Sequence, residues 1–445
     1  MAGGTWETQN KVRPGVYINF KTDQAETLAI GERGVVAICE PLSWGPVGQI
    51  QAVAAGADTT PFVGYDITEP QARFLREIFK GTNRTGGPRE VLLYRPPASG
   101  SAQAKATVGS LTATAKYPGK RGNDITIVIT ALTEPEGAFN VQTVVGGVIR
   151  DAQQAKQVSD LAANGWVTWS GEGAVTATTA SALTGGQDGT VQTAAYSSFL
   201  TALEPYQFDV LIYDGEESAV LTAFQSFVER MVEDEGKYCQ LVAAEMASPD
   251  SRFVINNISG AVMDDGTAFT PQQVCWWLGG AEAGASYNQS LTYARYPGAV
   301  DVSPRMANSQ YVDAINGGQV ALAAEDGAVK VEQDINTLVT FTVEKGRAFR
   351  KNRIIRLCST IANDLYREFS NNYIGIVNNN EQGRAMFKSA IVSYLLALQG
   401  EQAIQGFDAD DITVEQGGDI DSILVALALT VVDSVEKIYL NVTIS

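Results

Sequence analysis

The chain has 445 residues, of which 45% are hydrophobic and 18% charged, and this composition is typical of a globular protein with about three domains. Its 50 acidic and 32 basic residues give a net charge of −18, which disfavours nucleic-acid and membrane-surface binders because both need a basic field. The chain contains no histidine, which excludes Ser-His-Asp and Cys-His catalysis and histidine-based zinc sites.

Residues 1–9 have no apolar core, and no apolar run is long enough to cross a bilayer, so neither a signal peptide nor membrane insertion is expected. The four cysteines are far apart and form no CxxC pair, which predicts reduced thiols in a product assembled in the cytoplasm. No metal or cofactor is expected. The cysteines are Cys39, Cys239, Cys275 and Cys358.

The first globular stretch, residues 27–95, combines strand and helix signals. Val35–Cys39 and Val91–Tyr94 are short apolar runs typical of buried strands. Between them a helix is predicted, with Thr68 as its N-cap and Gly81 as its end. Its apolar face consists of Phe74, Leu75, Ile78 and Phe79.

From Ala98 to Asp188 the composition shifts to alanine, threonine, glycine and valine. Turn signals such as Tyr117-Pro118-Gly119 separate short strand-like runs. This pattern predicts a small, mostly β domain inserted between two parts of another domain. The predicted strands are Ala104–Val108, Leu111–Lys116, Ile125–Ile129, Phe139–Val145 and Trp166–Trp169.

After Gly189 the pattern changes to β-α-β. Phe208–Tyr213 and Leu241–Ala244 are predicted as buried strands, with an amphipathic helix around Phe224 between them and another helix starting near Pro271. This alternation predicts a parallel or mixed sheet covered by helices.

The last part of the chain, from Gly346, begins with two long amphipathic helices. Strands are predicted at Ile412–Val414 and Ile423–Val432, followed by a break at Asp433-Ser434 and a final strand. The predicted fold class is therefore multidomain α+β. A central α/β domain carries a mostly β inserted domain and is followed by an α/β C-terminal domain.

Both ends of the chain alternate apolar and polar residues with period two, which is typical of a half-buried strand. Chain ends are usually frayed unless they dock, so each end is expected to pair either with this chain's own sheet or with that of an identical subunit. The apolar positions are Val12, Val16, Ile18 and Phe20 at the start, and Ile438, Leu440, Val442 and Ile444 at the end.

A basic cluster lies within an otherwise acidic chain, just before and within the first C-terminal helix. One interpretation is a solvated helix face. The other is an electrostatic docking site for an acidic protein surface. The cluster consists of Lys345, Arg347, Arg350, Lys351, Arg353 and Arg356.

No phosphate-binding loop is found, because Gly119-Lys120-Arg121 and Gly236-Lys237-Tyr238 lack the hydroxyl residue and the spaced glycine of a P-loop. The β-α-β pattern is compatible with an α/β hydrolase-like enzyme carrying a β insertion, but only as a fold analogy. A third alternative is another self-assembling shell or surface-layer protein. Electron micrographs of a surface-layer protein would show flat sheets rather than striated tubes.

Several stretches along the whole chain resemble the contractile tail sheath proteins of myophages and phage-like R-type bacteriocins, above all the compact Gram-positive, defective-prophage type. The matching stretches include Gly3-Gly4-Thr5-Trp6 and Asn10 to Phe20, Gly34-Val35-Val36-Ala37 with Trp44-Gly45-Pro46, and Tyr117-Pro118-Gly119 with Gly122 to Ile125. They also include Leu183 to Gly189 and Val435 to Val442.

This resemblance implies a non-enzymatic subunit that stacks as hexameric rings around an inner tube, with baseplate and tail terminator proteins as further partners. It implies that the N- and C-terminal arms of neighbours complete the sheet of the C-terminal domain. The expected divisions are an N-terminal arm (1–22), a central domain in two parts (23–97 and 190–345), an inserted outer domain (98–189), a tube-facing domain (346–432) and a C-terminal arm strand (433–445).

The resemblance also suggests roles for particular residues. Tube docking is expected at Arg347, Arg350, Lys351, Arg353 and Arg356. Candidate hinges are Gly31, Gly34, Asp433 and Ser434. The particle is expected to assemble in the bacterial host cytoplasm, as part of a phage tail or a phage-tail-like particle, with no nucleic-acid contact.

Overall fold

A computed structural model describes residues 30–444, together with the backbone alone of two short strands, β1 (Ala2–Gly4) and β2 (Gly15–Tyr17), which pair in parallel. The chain divides into two compact units. The larger, here the central unit, comprises Gly31–Asn363 and the C-terminal segment that begins at Asp433. The smaller, here the C-terminal unit, comprises Asp364–Val432 of the described chain.

The core of the central unit is a seven-stranded sheet in the order β21-β17-β16-β15-β3-β5-β4, parallel except for β4 at one edge. Three of its strands precede the inserted domain in the sequence and four follow it. Its parallel strands are those that the β-α-β pattern predicts. The strands are β3 (Val35–Cys39), β4 (Ile50–Ala54), β5 (Glu90–Tyr94), β15 (Val210–Ile212), β16 (Gln240–Ala244), β17 (Val254–Asn257) and β21 (Gln319–Val320).

Helices cover both faces of this sheet, because alternate residues of each strand point to opposite sides. In β3, Val36 and Ile38 belong to one apolar core and Val35 and Ala37 to the other. The first core includes α2 and α5, and the second includes α3 and α4. The central unit's helices are α1 (Thr60–Val63), α2 (Arg73–Phe79), α3 (Thr193–Leu203), α4 (Ser218–Glu233), α5 (Pro271–Gly284) and α6 (Asn308–Asn316).

The predicted helix after Thr68 forms, but its predicted cap is wrong. A 3₁₀ turn at Pro70–Ala72 precedes α2, and the residue before that turn is Glu69. The Thr68 hydroxyl and backbone N–H both donate instead to Asp66 Oδ1, at 2.6 and 2.9 Å. This local Asp66 turn competes with helix capping for the same groups.

The inserted domain is a β-sandwich of two antiparallel sheets, in the orders β11-β10-β9-β13 and β12-β8-β7. Four predicted strands shift by one or two residues at an end, and β10 matches its prediction. The unpredicted β11 and β13 are mostly exposed. The bounds are β6 (Ala98–Ser99), β7 (Lys105–Val108), β8 (Leu111–Ala115), β9 (Ile125–Ala131), β10 (Phe139–Val145), β11 (Val148–Ala155), β12 (Val167–Ser170), β13 (Thr178–Ala182) and β14 (Thr190–Val191).

Several side chains join the inserted domain to the central sheet, among them Trp44 and Arg121. Trp44, from the loop after β3, is 1% exposed and lies in the sandwich core, with its ring 4.8 Å from Trp166 and 5.3 Å from Tyr117. In the other direction, Arg121 donates to the Gly64 carbonyl at 2.9 Å and lies 3.9 Å above the ring of Tyr65. Aromatic and cation–π packing therefore joins the two domains.

Small antiparallel sheets complete the central unit beside α5. One has the order β19-β18-β20, and the other pairs β22 with β23. The bounds are β18 (Gly260–Met263), β19 (Ala268–Phe269), β20 (Ala299–Ser303), β22 (Leu322–Glu325) and β23 (Ala328–Val331).

The helix α7 (Asn352–Asn372) runs from the central unit into the C-terminal unit, where α8 (Glu381–Gly400) follows it. The single strand predicted over Ile423–Val432 is wrong. The structure has β26 (Ile423–Leu427), paired with β25 (Ile412–Gln416), and a separate β27 (Thr430–Val431), paired with β24 (Ile404–Gln405). Switching partners between Leu427 and Thr430 divides the apolar run.

Candidate functional site

The C-terminal segment leaves the body of the protein with its apolar side chains exposed. Ile438, Leu440, Val442 and Ile444 are 83%, 82%, 72% and 92% exposed. Within the part of the chain that the structure describes, residues 437–444 form no strand and no hydrogen bond. An alternating apolar segment of this kind has the pattern of a strand that lacks its sheet.

The C-terminal unit holds a sheet with free edges. Among the described residues, β25 and β26 pair only with each other, so each strand has one open edge. Leu424 of β26 is 61% exposed. Open edges of this kind present unpaired backbone N–H and C=O groups that can accept a further strand.

The N-terminal arm lies mostly outside the described residues. Of its predicted apolar positions, Val16 falls in β2, of which only the backbone is described, and Val12, Ile18 and Phe20 lie outside the described part. Their pairing stays a prediction.

The structure buries three of the six residues of the basic cluster, Arg350, Arg353 and Arg356. Arg356 is fully buried between two acids: its Nη1 pairs with Glu282, and its Nη2 lies 2.6 Å from Asp334 Oδ2. Burial alone would lower the pKa of Arg356, but the carboxylates of Asp334 and Glu282 raise it above its usual value. Arg356 therefore stays charged as the centre of a buried ionic network.

The other cations of the cluster have different environments. Arg350 and Arg353 are only 9% and 8% exposed, and burial lowers the pKa of both guanidinium groups. Lys351 pairs with Glu436 and lies 3.9 Å from Asp433. Arg347 is exposed to solvent. Tube docking stays a prediction, and of the five residues predicted to dock only Arg347 is exposed.

Sequence reasoning missed the acidic partners of this cluster. Glu282 lies at the end of α5, Asp334 follows β23, and Glu436 lies in the C-terminal segment. No local pattern links residues that are so far apart in the chain. The basic cluster itself was the one sign that such partners exist, because cations that enter an amphipathic helix need acidic partners if they become buried.

The hinge candidates lie close to points where the chain passes between the two units. These passages fall at residues 30/31, 363/364 and 432/433, next to Gly31 and Asp433. Gly34 has a φ of +116°, and its N–H donates to Asp209 Oδ2 at 2.8 Å. A Cβ at Gly34 would lie 3.1 Å from the Arg89 backbone nitrogen, so the turn itself requires glycine there.

The carboxyl ends of β3 and β15, where α/β enzymes bind substrates, hold a half-buried pair of carboxyl groups, Glu40 and Asp214. Trp276 Nε1 donates to Asp214 Oδ2 at 2.7 Å, and Glu40 lies beside Asp214 with its Oε2 buried. Burial, followed by the neighbouring Asp214, raises the pKa of Glu40 well above its usual range. Burial also raises the pKa of Asp214.

Over the described residues, no group of three or more metal-binding side chains has the geometry to hold an ion. Helices long and apolar enough to cross a membrane are likewise absent from the part of the chain that the structure describes.

Comparison with known proteins assigns the chain to a family. Phage tail sheath models match nearly all of its length: a domain III N-terminal region at residues 33–95, a β-sandwich domain at 99–188, a central domain at 189–337 and a C-terminal domain at 344–445. A phage-like element PBSX protein of Bacillus subtilis is 36% identical over 474 residues and covers 100% of both chains. The chain belongs to the phage tail sheath family.

Solved structures agree with this assignment. The sheath tail protein of Desulfitobacterium hafniense is 41% identical, with a TM-score of 0.86 over 96% of this chain and 99% of that one. The contracted helical sheath of the anti-feeding prophage shares the fold, with a TM-score of 0.58 at 14% identity over 97% of this chain and 99% of that one.

The resemblance expected from the sequence is thus confirmed, as is the multidomain α+β fold with its β-sandwich domain. The sheath is a structural protein of a phage tail or tail-like particle and not an enzyme. The α/β hydrolase alternative is therefore wrong. The β-α-β pattern belongs to the seven-stranded sheet of the central unit.

Proposed function

We propose that this chain assembles as stacked hexameric rings around an inner tube, is held in a metastable extended state, and contracts to drive the tube through a target cell envelope. Baseplate and tail terminator proteins would set the two ends of the assembly. One observation carries the proposal: four alternating apolar side chains of the C-terminal segment are 72–92% exposed in a family of self-assembling proteins.

Strand addition between subunits explains this exposure. The C-terminal arm of one subunit, and the N-terminal arm of another, would extend the β25–β26 sheet of a third. Burying a Leu or Ile side chain stabilises by about 1.5–3 kcal/mol, so four such residues supply a large part of one contact. Backbone hydrogen bonds along the added strand supply its direction and register.

Contraction then requires subunits to move while remaining joined. Paired strands keep their local geometry when the segments that lead to them rotate, so the hinges belong at Gly31 and Gly34 on one side and at Asp433 and Ser434 on the other. With no phosphate-binding loop in the sequence, the work would be stored when the extended lattice assembles around the tube.

Electron microscopy of the purified chain, alone and co-expressed with its tube protein, tests the proposal. The decisive variant is Leu440→Lys with Val442→Lys, which puts charge on the apolar side of the arm. Asn441→Lys with Thr443→Lys is the matched control, since it adds the same charge to the other side. We expect striated cylinders from the wild type and the control, and unassembled subunits from the variant. Normal sheaths from the variant would contradict strand addition by this arm.

A further inference from the structure

The C-terminal arm is held at one residue before it becomes exposed. The side chain of Glu436 is only 11% exposed. Its Oε1 accepts a hydrogen bond from Thr292 Oγ1 at 2.8 Å, and its Oε2 accepts one from Gln333 Nε2 at 2.7 Å. Lys351 donates to the same Oε2. Three separate segments of the central unit therefore bind a single carboxylate.

The change on either side of Glu436 is abrupt. Ile438, two residues later, is 83% exposed. Before it, the contacts of the arm are longer, with Asp433 lying 3.9 Å from Lys351 and 4.0 Å from Arg353. An open groove of about 480 Å³ adjoins this point, lined by Thr292 and Tyr293 as well as by Glu436. Ile438 also lines this groove but stays 83% exposed. Glu436 is thus the last of the described residues that a hydrogen bond or ion pair fixes to the central unit.

Thr292, which binds Glu436, is itself connected to the buried ion pair of Asp334 and Arg356. The Thr292 hydroxyl donates to Glu436 and accepts a hydrogen bond from the Asp334 backbone N–H at 3.0 Å. Asp334 in turn pairs with the buried Arg356. Connected charge-assisted hydrogen bonds of this kind are stronger than isolated ones at a surface. The position of Glu436 is therefore set by the buried network and not by a flexible surface contact.

We infer that Glu436 is the positioning residue of the C-terminal arm. It fixes the arm to the central unit and sets the point from which residues 438–444 extend toward another subunit. The anchoring stands on its own, whereas the destination of the strand rests on the proposed function. The pivot of the free segment then lies at Glu436-Lys437, beyond the hinge predicted at Asp433-Ser434.

Limited trypsin digestion of the full chain tests the anchor directly, because Lys437 is the only lysine or arginine after Lys388. Cleavage there releases residues 438–445 and is followed by intact mass. Cleavage after the exposed Arg347 in the same digest serves as the internal reference. The test variant is Glu436→Ala, and the matched control is Glu216→Ala, which removes an exposed glutamate of the same unit.

We expect Glu436→Ala to raise cleavage after Lys437 by about tenfold relative to Arg347, since proteolysis follows the population of the released segment. Glu216→Ala should leave this ratio unchanged. If Glu436→Ala does not fold, Thr292→Val should raise the ratio by a smaller factor, because it removes one of the three donors to Glu436 together with the acceptor for the Asp334 N–H. An unchanged ratio in a folded variant would overturn the anchor.

A charge exchange adds a second readout. Lys351→Glu with Glu436→Lys should restore the slow release of the arm that either single change loses. Because Glu436→Lys adds a trypsin site, release is summed over cleavage after positions 436 and 437. Failure to restore slow release would count against the ion pair. Micrographs of the same samples separate this inference from the proposed function. Fast cleavage in Glu436→Ala with no sheath from the wild type would keep the anchor and reject sheath assembly. Normal sheaths with unchanged cleavage would reject the anchor alone.

Discussion

Arg356 and Asp334 form an ion pair in which both side chains are buried, with exposures of 0% and 1% and 2.6 Å between Nη2 and Oδ2. Glu282, which is 2% exposed, occupies the other side of the same guanidinium group. Arg356 also donates to the Gln289 carbonyl at 2.6 Å. One cation thus joins α5, α7 and the segment that follows β23.

Replacing Arg356 with methionine should destabilise the central unit severely. The change leaves Glu282 and Asp334 buried without their cation, and breaking a buried pair in this way costs about 3–5 kcal/mol. The measurement is the free energy of unfolding of the full chain in urea. Arg305→Met is the control, since Arg305 is 76% exposed in its pair with Asp301, and such a pair contributes about 0–1 kcal/mol. Equal losses from both variants would contradict the assigned role of Arg356.

The half-buried pair of Glu40 and Asp214 predicts a free energy of unfolding that falls as the pH rises. Burial and Asp214 raise the pKa of Glu40 in the folded chain, so the folded state holds a proton that the unfolded state releases near the ordinary value of 4.5. The stability of the proton-bound pair is complete below that ordinary pKa. It is lost progressively as the pH rises toward the folded-state pKa.

Glu40→Gln tests this dependence, because glutamine keeps the shape of the side chain and cannot ionise. Trp276 donates to Asp214, and the titratable groups around the pair are Cys39, Cys275, Tyr213 and Tyr196. We expect the variant to be more stable than the wild type at pH 8 and to lose this advantage at pH 4, as measured by urea unfolding. Glu344→Gln, at an exposed position, should change neither value. If the variant exceeds the wild type in free energy of unfolding by the same amount at both pH values, Glu40 does not hold the proposed proton.

The sequence correctly predicted those strands that a short run of neighbouring residues determines. β3 and β10 have their predicted bounds, since an apolar or alternating run fixes a strand by itself. β11 was missed because it is a mostly exposed edge strand that carries Arg150 and Asp151. Edge strands commonly carry charge, which removes the apolar signal that sequence reasoning uses.

The features that the sequence did not predict depend on contacts between residues far apart in the chain. The basic cluster has the sequence of a solvated helix face, yet Glu282, Asp334 and Glu436 approach it from distant parts of the chain. Trp44 lies in a loop of one domain and packs in the core of another. Neither arrangement leaves a periodic signal, because it depends on which surfaces the fold brings together. The C-terminal segment, in contrast, has its own period-two pattern, and its apolar side chains are exposed in the structure. Its pairing as a strand stays a prediction.

The last prediction concerns docking on the tube. Of the five residues predicted to dock, only Arg347 is exposed, so the prediction concerns this residue. Arg347 is exposed, whereas Arg350 is only 9% exposed. Arg347→Glu should therefore leave the free chain stable and slow assembly on the tube, because exposed charges affect association rates more than folding. We expect about a tenfold slower assembly at low salt and a smaller difference at about 1 M salt, where screening acts within about 3 Å. Light scattering with purified tubes measures both rates.

Two controls separate docking from folding. Lys156→Glu makes the same charge change at an exposed position of the inserted domain, and it should assemble at the wild-type rate if Arg347 acts locally. Arg350→Glu places a carboxylate in a largely buried site and should lower the free energy of unfolding before any tube is added. If Arg347→Glu and Lys156→Glu assemble at the same rate, the tube contact lies elsewhere, and the cluster acts within the subunit through Arg356 and Lys351.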